Sequence, residues 1–129
     1  MIKALLVDDS RLIRQIEKSV FSKIGGVEIE EAVDGADALA KLTINKYDIL
    51  ILDWMMPKMT GEQLLREIRG AAGPNKDIPT LMVTAEVERS KILALAALKI
   101  SGYVTKPFTA ELLEEKIKAI LGKKKVVLG

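Results

Sequence analysis

The sequence predicts an α/β fold: a doubly wound parallel sheet of five strands alternating with five helices. Three observations carry this expectation. Short apolar runs recur along the chain, and amphipathic stretches at helical spacing separate them. Three of the runs, KALLV, DILIL and PTLMV, are nearly continuous in apolar residues, as strands buried on both faces are. The chain has 129 residues, a length that suits one domain.

The elements follow in order. The first strand is expected over Ile2 to Val7. Ser10 can cap a first helix to about Ile24, with Leu12, Ile13, Ile16, Val20 and Phe21 at helical spacing and Gly25 and Gly26 ending it. The second strand covers Val27 to Val33. The second helix covers about Gly35 to Asn45, with Ala38, Leu39 and Leu42 inward. The third strand covers Tyr47 to Leu52, and the third helix about Gly61 to Gly70, with Leu64, Leu65 and Ile68 inward. GPNKD at 73 to 77 reads as an ordinary polar connector into a strand over Ile78 to Val83. A fourth helix over about Glu88 to Leu98, a brief fifth strand at Tyr103 and Val104, and a fifth helix from a Thr109 cap to Leu121 complete the pattern. The domain is expected over 1–122. Residues 123–129, with Lys123, Lys124 and Lys125, read as a short basic tail in solvent.

Composition narrows the chemistry. Hydrophobic residues at 49% and charged residues at 29% support a sizeable core and argue against disorder. A net charge of +2 gives no field that would attract nucleic acid or a membrane surface, and neither partner is expected. The chain has no Cys and no His, which removes thiolate chemistry, the commonest general base and the commonest transition-metal ligand. A metal here should be held by oxygen, which favours Mg²⁺, Ca²⁺ or Mn²⁺. No apolar run approaches the roughly 18 residues of a membrane span. The apolar start of MIKALLVDDS is too short for a signal peptide, so a cytoplasmic location is expected. The sequence stops soon after its last expected helix, so any output is expected to pass through the surface of this domain.

Five polar residues sit at the ends of the apolar runs: Asp8 and Asp9 after the first, Asp53 after the third, Thr84 after the fourth and Lys106 after the fifth. Ligands of open α/β sheets bind outside the carboxyl ends of the strands, where strand order reverses. If the first and third strands are neighbours, the five residues converge. Each is weak alone, since an Asp after a strand usually caps a helix or turns the chain. Together they make a site. Three crowded carboxylates repel, Lys106 offsets one charge, and a divalent cation offsets two. Asp53 can then act as a nucleophile toward a phosphoryl donor and form an acyl phosphate, while the metal and Lys106 stabilise charge on the transferring group.

The chain resembles the response-regulator receiver domains, most closely their stand-alone, chemotaxis-type members. LLVDDS at 5 to 10, ILDWMMPKMTG at 51 to 61, LMVTAE at 81 to 86 and SGYVTKPFTAELLEEK at 101 to 116 carry the resemblance across the whole chain. It implies a flavodoxin-like sheet of order 2-1-3-4-5, which the sequence alone does not fix. It implies that Asp53 is the phosphoacceptor and that Mg²⁺ is held by Asp8, Asp9, Asp53 and the backbone carbonyl of Met55, with Asp9 the more direct of the acidic pair. Lys106 becomes the phosphate contact, Thr84 the switch hydroxyl and Tyr103 the switch aromatic. Burial statistics alone would equally make Tyr103 a core residue. A cis peptide is implied at Lys106–Pro107. The phosphodonor would be a histidine kinase, with a downstream protein target such as the flagellar motor switch, room for a phosphatase, and a monomeric state. Such a protein catalyses its own phosphorylation and dephosphorylation and is not a metabolic enzyme.

Output is expected through the face of helix four, strand five and helix five, with Ile92, Leu95, Ala96, Lys99, Tyr103 and Lys116 as its surface. Where the family often has Gly, this chain has Lys99. A left-handed helix cap there would cost about 1 kcal/mol, or else the helix ends differently. Met55 and Glu86 are expected to border the path of a hydrolytic water. Trp54 reads as a loop aromatic beside the site. Met55, Met56 and Met59 read as loop residues packing partly on the third helix. Two other functions fit the same fold: a phosphorelay intermediate carrier, and a binding module that works without phosphate. An aspartyl phosphatase would want a second acid where Met55 stands, and no GxxxxGK-S/T loop is present for nucleotide hydrolysis.

Overall fold

The β-branched and leucine-rich runs form one sheet in the computed structural model, which describes the backbone of residues 1–85 and 89–128 and side chains at 1–85 and 93–122. The strands are β1 (Ile2–Val7), β2 (Val27–Ala32), β3 (Ile49–Asp53), β4 (Thr80–Thr84) and β5 (Gly102–Thr105). They pair in the order β2-β1-β3-β4-β5, all parallel. The helices are α1 (Arg11–Ile24), α2 (Gly35–Ile44), α3 (Gly61–Gly70), α4 (Arg89–Ala97) and α5 (Ala110–Leu128). No described helix is long and apolar enough to cross a membrane.

Strand periodicity divides the core in two. Ala4, Leu6, Ile49 and Ile51 face α1 and α5, where they meet Val20, Phe21, Leu113 and Ile117. Leu5, Val7, Leu50 and Leu52 face the other way, onto Ala38 and Leu42 of α2, Leu64, Leu65 and Ile68 of α3, and Leu95 of α4. With both faces covered, the inner strands need apolar side chains on each, and the near-continuous runs follow. The chain leaves β1 toward β2 on one side and returns to β3 on the other. The order therefore reverses between β1 and β3, and a crevice opens at their carboxyl ends.

Several expected boundaries shift. β2 stops at Ala32, and Val33 is exposed. Asp53 and Thr84 close β3 and β4 rather than follow them, because the ladder continues to the pairs Asp53 with Val83 and Thr84 with Thr105. Ser10 caps α1 as expected, its side chain accepting from the Ile13 amide, but Leu12 is 65% exposed. Val20 and Phe21 are buried as expected, and Glu17 is buried with them. α5 continues past Leu121 to Leu128. One glycine, Gly122, costs a helix about 1 kcal/mol, and lysines are good helix formers.

Two side chains organise connections that the sequence left plain. Asn75, expected in an ordinary polar connector, is buried. Its Nδ2 donates to the carbonyls of Leu42 and Asn45, each at 2.6 Å, and its Oδ1 accepts from the Tyr47 amide at 2.9 Å. It thereby satisfies the open end of α2 and starts the approach to β3. Arg69 does the same for α4. Its guanidinium donates to Leu98 O at 3.0 Å, Lys76 O at 2.9 Å, Ile78 O at 2.9 Å and Lys99 O at 3.5 Å. Lys99 takes the left-handed conformation, with φ 60°. Of the two endings expected for α4, the strained one is present, and Arg69 holds it.

Candidate functional site

The turn after β1 presents the first acids. The Asp8 amide still donates to Ala32 O at 3.2 Å, so the residue is held at the strand end. Its Oδ1 accepts from the Ser10 amide at 2.8 Å, and its carbonyl accepts from Arg14 Nη1 at 2.6 Å. Asp8 is buried, while Asp9 is exposed. Asp53, the last residue of β3, is 4% exposed. Carboxylate oxygens of Asp8, Asp9 and Asp53 all lie within 4.8 Å of one another. Lys106 reaches in from the end of β5, with its Nζ 3.3 Å from Asp8 Oδ2 and 3.3 Å from Asp53 Oδ1. Its amide donates to Thr84 O at 2.8 Å, which ties the lysine to the end of β4. Thr84 is itself buried. The five polar residues that the strand ends suggested thus lie together at the carboxyl ends of the strands.

The charges are not in balance. Burial, followed by the charge on Asp8, pushes the Asp53 carboxyl up to about 6, against the opposing pull of Lys106 and the Met55 amide. Burial also raises Asp8, despite the Ser10 amide and Lys106. Burial works to lower Lys106, yet the two aspartates outweigh it and its pKa rises. Three carboxylates therefore share one ammonium; burial contributes most to the raised Asp53 and Asp8 carboxyls, and repulsion between the acids adds to it. An all-oxygen set of this charge suits a hard divalent cation such as Mg²⁺.

The loop after Asp53 is fixed by packing. Gly61 starts α3 so close to β3 that a Cβ there would collide with the Asp53 carbonyl oxygen. Its amide donates to Trp54 O at 2.8 Å. Thr60 and Gln63 form a reciprocal capping box. Trp54 lies in the loop beside the site, as expected, but its side chain is buried. It is 6% exposed and belongs to the α2–α3 core, as does Met56, with Met59 packed against them. Met55 alone of the three methionines turns outward, at 62% exposure.

The model of the response regulator receiver domain matches residues 4–118. The chain belongs to this family. The chemotaxis protein CheY of Pseudomonas aeruginosa is 46% identical over 118 residues, which cover 92% of this chain and 94% of that protein. The chemotaxis protein CheY-3 of Vibrio cholerae is 42% identical over 118 residues, covering 92% and 90%. Among solved structures, a chemotaxis response regulator of Vibrio cholerae superposes with a TM-score of 0.84 at 36% identity, covering 93% and 98%. A receiver domain protein of Methanospirillum hungatei does so with a TM-score of 0.86 at 25% identity, covering 97% of each. The order β2-β1-β3-β4-β5 is the flavodoxin-like one that the resemblance implied.

In this receiver Tyr103 lies on β5 in register with Met82, at the sheet edge, and is 39% exposed, so the reading of it as a core aromatic fails. Lys106–Pro107 is a cis peptide. Ala96, Lys99 and Lys116 are exposed, as a surface role requires. Leu95 is not: it is 1% exposed and faces the α2–α3 core. The expected stripe is therefore not uniformly exposed, and Leu93, at 65%, is a large exposed apolar residue of α4 among its described side chains. Glu86 and the side chain of Ile92 lie outside the described residues. Sequence reasoning missed Glu17, a buried acid facing inward on α1. The signal was present, for Glu17 interrupts the apolar stripe of Ile13, Val20 and Ile24.

Proposed function

We propose that this receiver is a two-component signalling switch that takes a phosphoryl group onto Asp53 from a histidine kinase, in a Mg²⁺-dependent reaction. The observation that supports it is the buried Asp53 carboxylate with Asp8 and Asp9 oxygens within 4.8 Å and Lys106 at 3.3 Å. An Asp53 oxygen attacks the phosphorus of the donor phosphohistidine. The P–N bond breaks, its electron pair stays on the imidazole, and an acyl phosphate remains on Asp53. Lys106 supplies a positive charge to the incoming phosphoryl oxygens, and the Thr84 hydroxyl offers them a donor. Asp8, Asp9, Asp53 and the Met55 carbonyl are the groups that would hold Mg²⁺. When bound, the ion offsets the repulsion between these acids and the phosphoryl oxygens.

Similarity to the two chemotaxis proteins supports a role in chemotaxis, with the flagellar motor switch as target and a phosphatase to reset the signal. On this reading the protein works in the cytoplasm as a monomer. Its domain spans 1–122, and residues 123–129 add a basic extension. Ala96, Lys99, Tyr103 and Lys116 form its output surface. The experiment is incubation with acetyl phosphate and Mg²⁺, read by intact mass. Wild type should gain one phosphoryl group and Asp53→Asn none. Equal labelling of the two proteins would end the assignment.

A further inference from the structure

The turn between β1 and α1 carries Asp8 and Asp9, and one side chain of α1 reaches back onto it. Arg14 Nη1 donates to the Asp8 carbonyl at 2.6 Å, and Arg14 Nε donates to Glu31 Oε1 at 2.9 Å. Glu31 lies on β2 in register with Leu6 of β1. It follows Val27 and Ile29 on the face toward α1, where strand alternation would call for a third apolar residue. Its other oxygen accepts from Lys18 Nζ at 3.2 Å. The anchor is therefore held from two sides, and the Arg14 side chain, 12% exposed, lies between it and the turn.

The Asp8 carbonyl precedes the N-cap Ser10 and stands outside the helix ladder. It forms one planar unit with the Asp9 amide, so fixing its oxygen fixes the direction in which Asp9 leaves the turn. The Asp8 amide is tied to Ala32 O at 3.2 Å, and its Oδ1 accepts from the Ser10 amide at 2.8 Å. Arg14 supplies a further constraint, on the side of Asp9. Asp9 is exposed, so packing does little to place it. Its oxygen nonetheless lies within 4.8 Å of those of Asp8 and Asp53.

We propose that Arg14 is a positioning residue: anchored on Glu31, it fixes the Asp8–Asp9 peptide so that both acids serve one divalent cation. The proposal rests on the metal-site reading above and adds a residue outside the ligand set. Glu31 offsets the guanidinium charge, which would otherwise oppose a cation bound nearby. Arginine suits the task and lysine does not, because a planar fork carries separate donors to two acceptors at once.

Charge and position predict opposite signs. Losing a positive charge beside the site should tighten Mg²⁺ binding, whereas losing the hold on Asp8 should weaken it. The experiment is calorimetric Mg²⁺ titration, with melting temperatures in EDTA, for wild type, Arg14→Met, Arg14→Lys and the double variant Arg14→Met with Glu31→Met. Arg14→Met should weaken Mg²⁺ binding about 10-fold, as loss of a group that orients a metal ligand does. Arg14→Lys should recover the melting temperature through its pairing with Glu31 and leave Mg²⁺ binding weak. The double variant keeps the net charge and should bind as weakly as Arg14→Met, which keeps the comparison open if the single variant folds poorly. A lowered melting temperature with Mg²⁺ binding unchanged or tighter would mean a structural role only and overturns the proposal. Recovery of Mg²⁺ binding by lysine overturns it too, since charge would then suffice. A wild type that binds no Mg²⁺ overturns the metal site itself and the proposal with it, a result distinct from the other two.

Discussion

Asp53 carries a direct consequence for stability, because burial and the charge on Asp8 raise its carboxyl to about 6 from an ordinary value of 3.8. Below 3.8 the folded and unfolded chains both hold the proton. Between 3.8 and about 6 the folded chain holds it and the unfolded chain has released it. The metal-free protein therefore loses stability as pH rises through that window, and the loss is complete above it. Asp8 and Glu17 are shifted in the same direction and add to the trend. Melting temperatures in EDTA should fall from pH 4 to 7, and the fall should be smaller in Asp53→Asn. Parallel curves for the two proteins would show that the Asp53 carboxyl is not raised. Asp9 makes the complementary case. It is exposed, so Asp9→Ala should leave the metal-free melting temperature nearly unchanged. The wild type should gain about 1.4 kcal/mol when Mg²⁺ is at ten times its dissociation constant, and Asp9→Ala should gain much less. An identical Mg²⁺ shift in both would remove Asp9 from the ligand set.

At the scale of elements, α3 and α4 are joined through one guanidinium. Arg69 donates to carbonyls from the turn before β4 and from the end of α4, where Lys99 is held at φ 60°. Arg69→Ala leaves those carbonyls short of partners, and a loss of about 2–3 kcal/mol in urea unfolding is expected. Arg69→Lys should recover little of it, since a single ammonium cannot reproduce the planar fork that reaches several carbonyls at once. Full recovery by lysine would show that charge, and not geometry, holds the junction.

For the whole molecule, the site and the proposed output face share one sheet. Asp53, Thr84 and Tyr103 stand on the neighbouring strands β3, β4 and β5. A phosphoryl group that draws on the Thr84 hydroxyl acts one strand away from Tyr103, whose edge position leaves it room to repack. Such a device is a two-state element biased by local charge. Beryllofluoride with Mg²⁺ should shift the amide resonances of Thr84, Tyr103 and α4. Shifts confined to the loops beside Asp53 would reject this route. A target that prefers the phosphorylated state must, by linkage, raise the level of phosphorylation.

The alternation of apolar runs and amphipathic stretches determined by itself that this chain forms a doubly wound sheet, because a strand covered on both faces has no choice but to be apolar on both. The acids and the lysine at the strand ends marked the site, since polar groups there have no place in the core. Tertiary structure decided what depends on neighbours distant in sequence. Strand order made Asp8, Asp53 and Lys106 converge, and no local pattern encodes that order. The environment of Trp54, Leu12 and Leu95 turned on which side of a helix or loop met the core. Asn75 read as part of an ordinary polar connector and Arg69 carried no signal, because the carbonyls they satisfy are contributed by other elements. Glu17 was passed over in the sequence, although it interrupts an apolar stripe, because burial is a property of the packed chain and not of the residue.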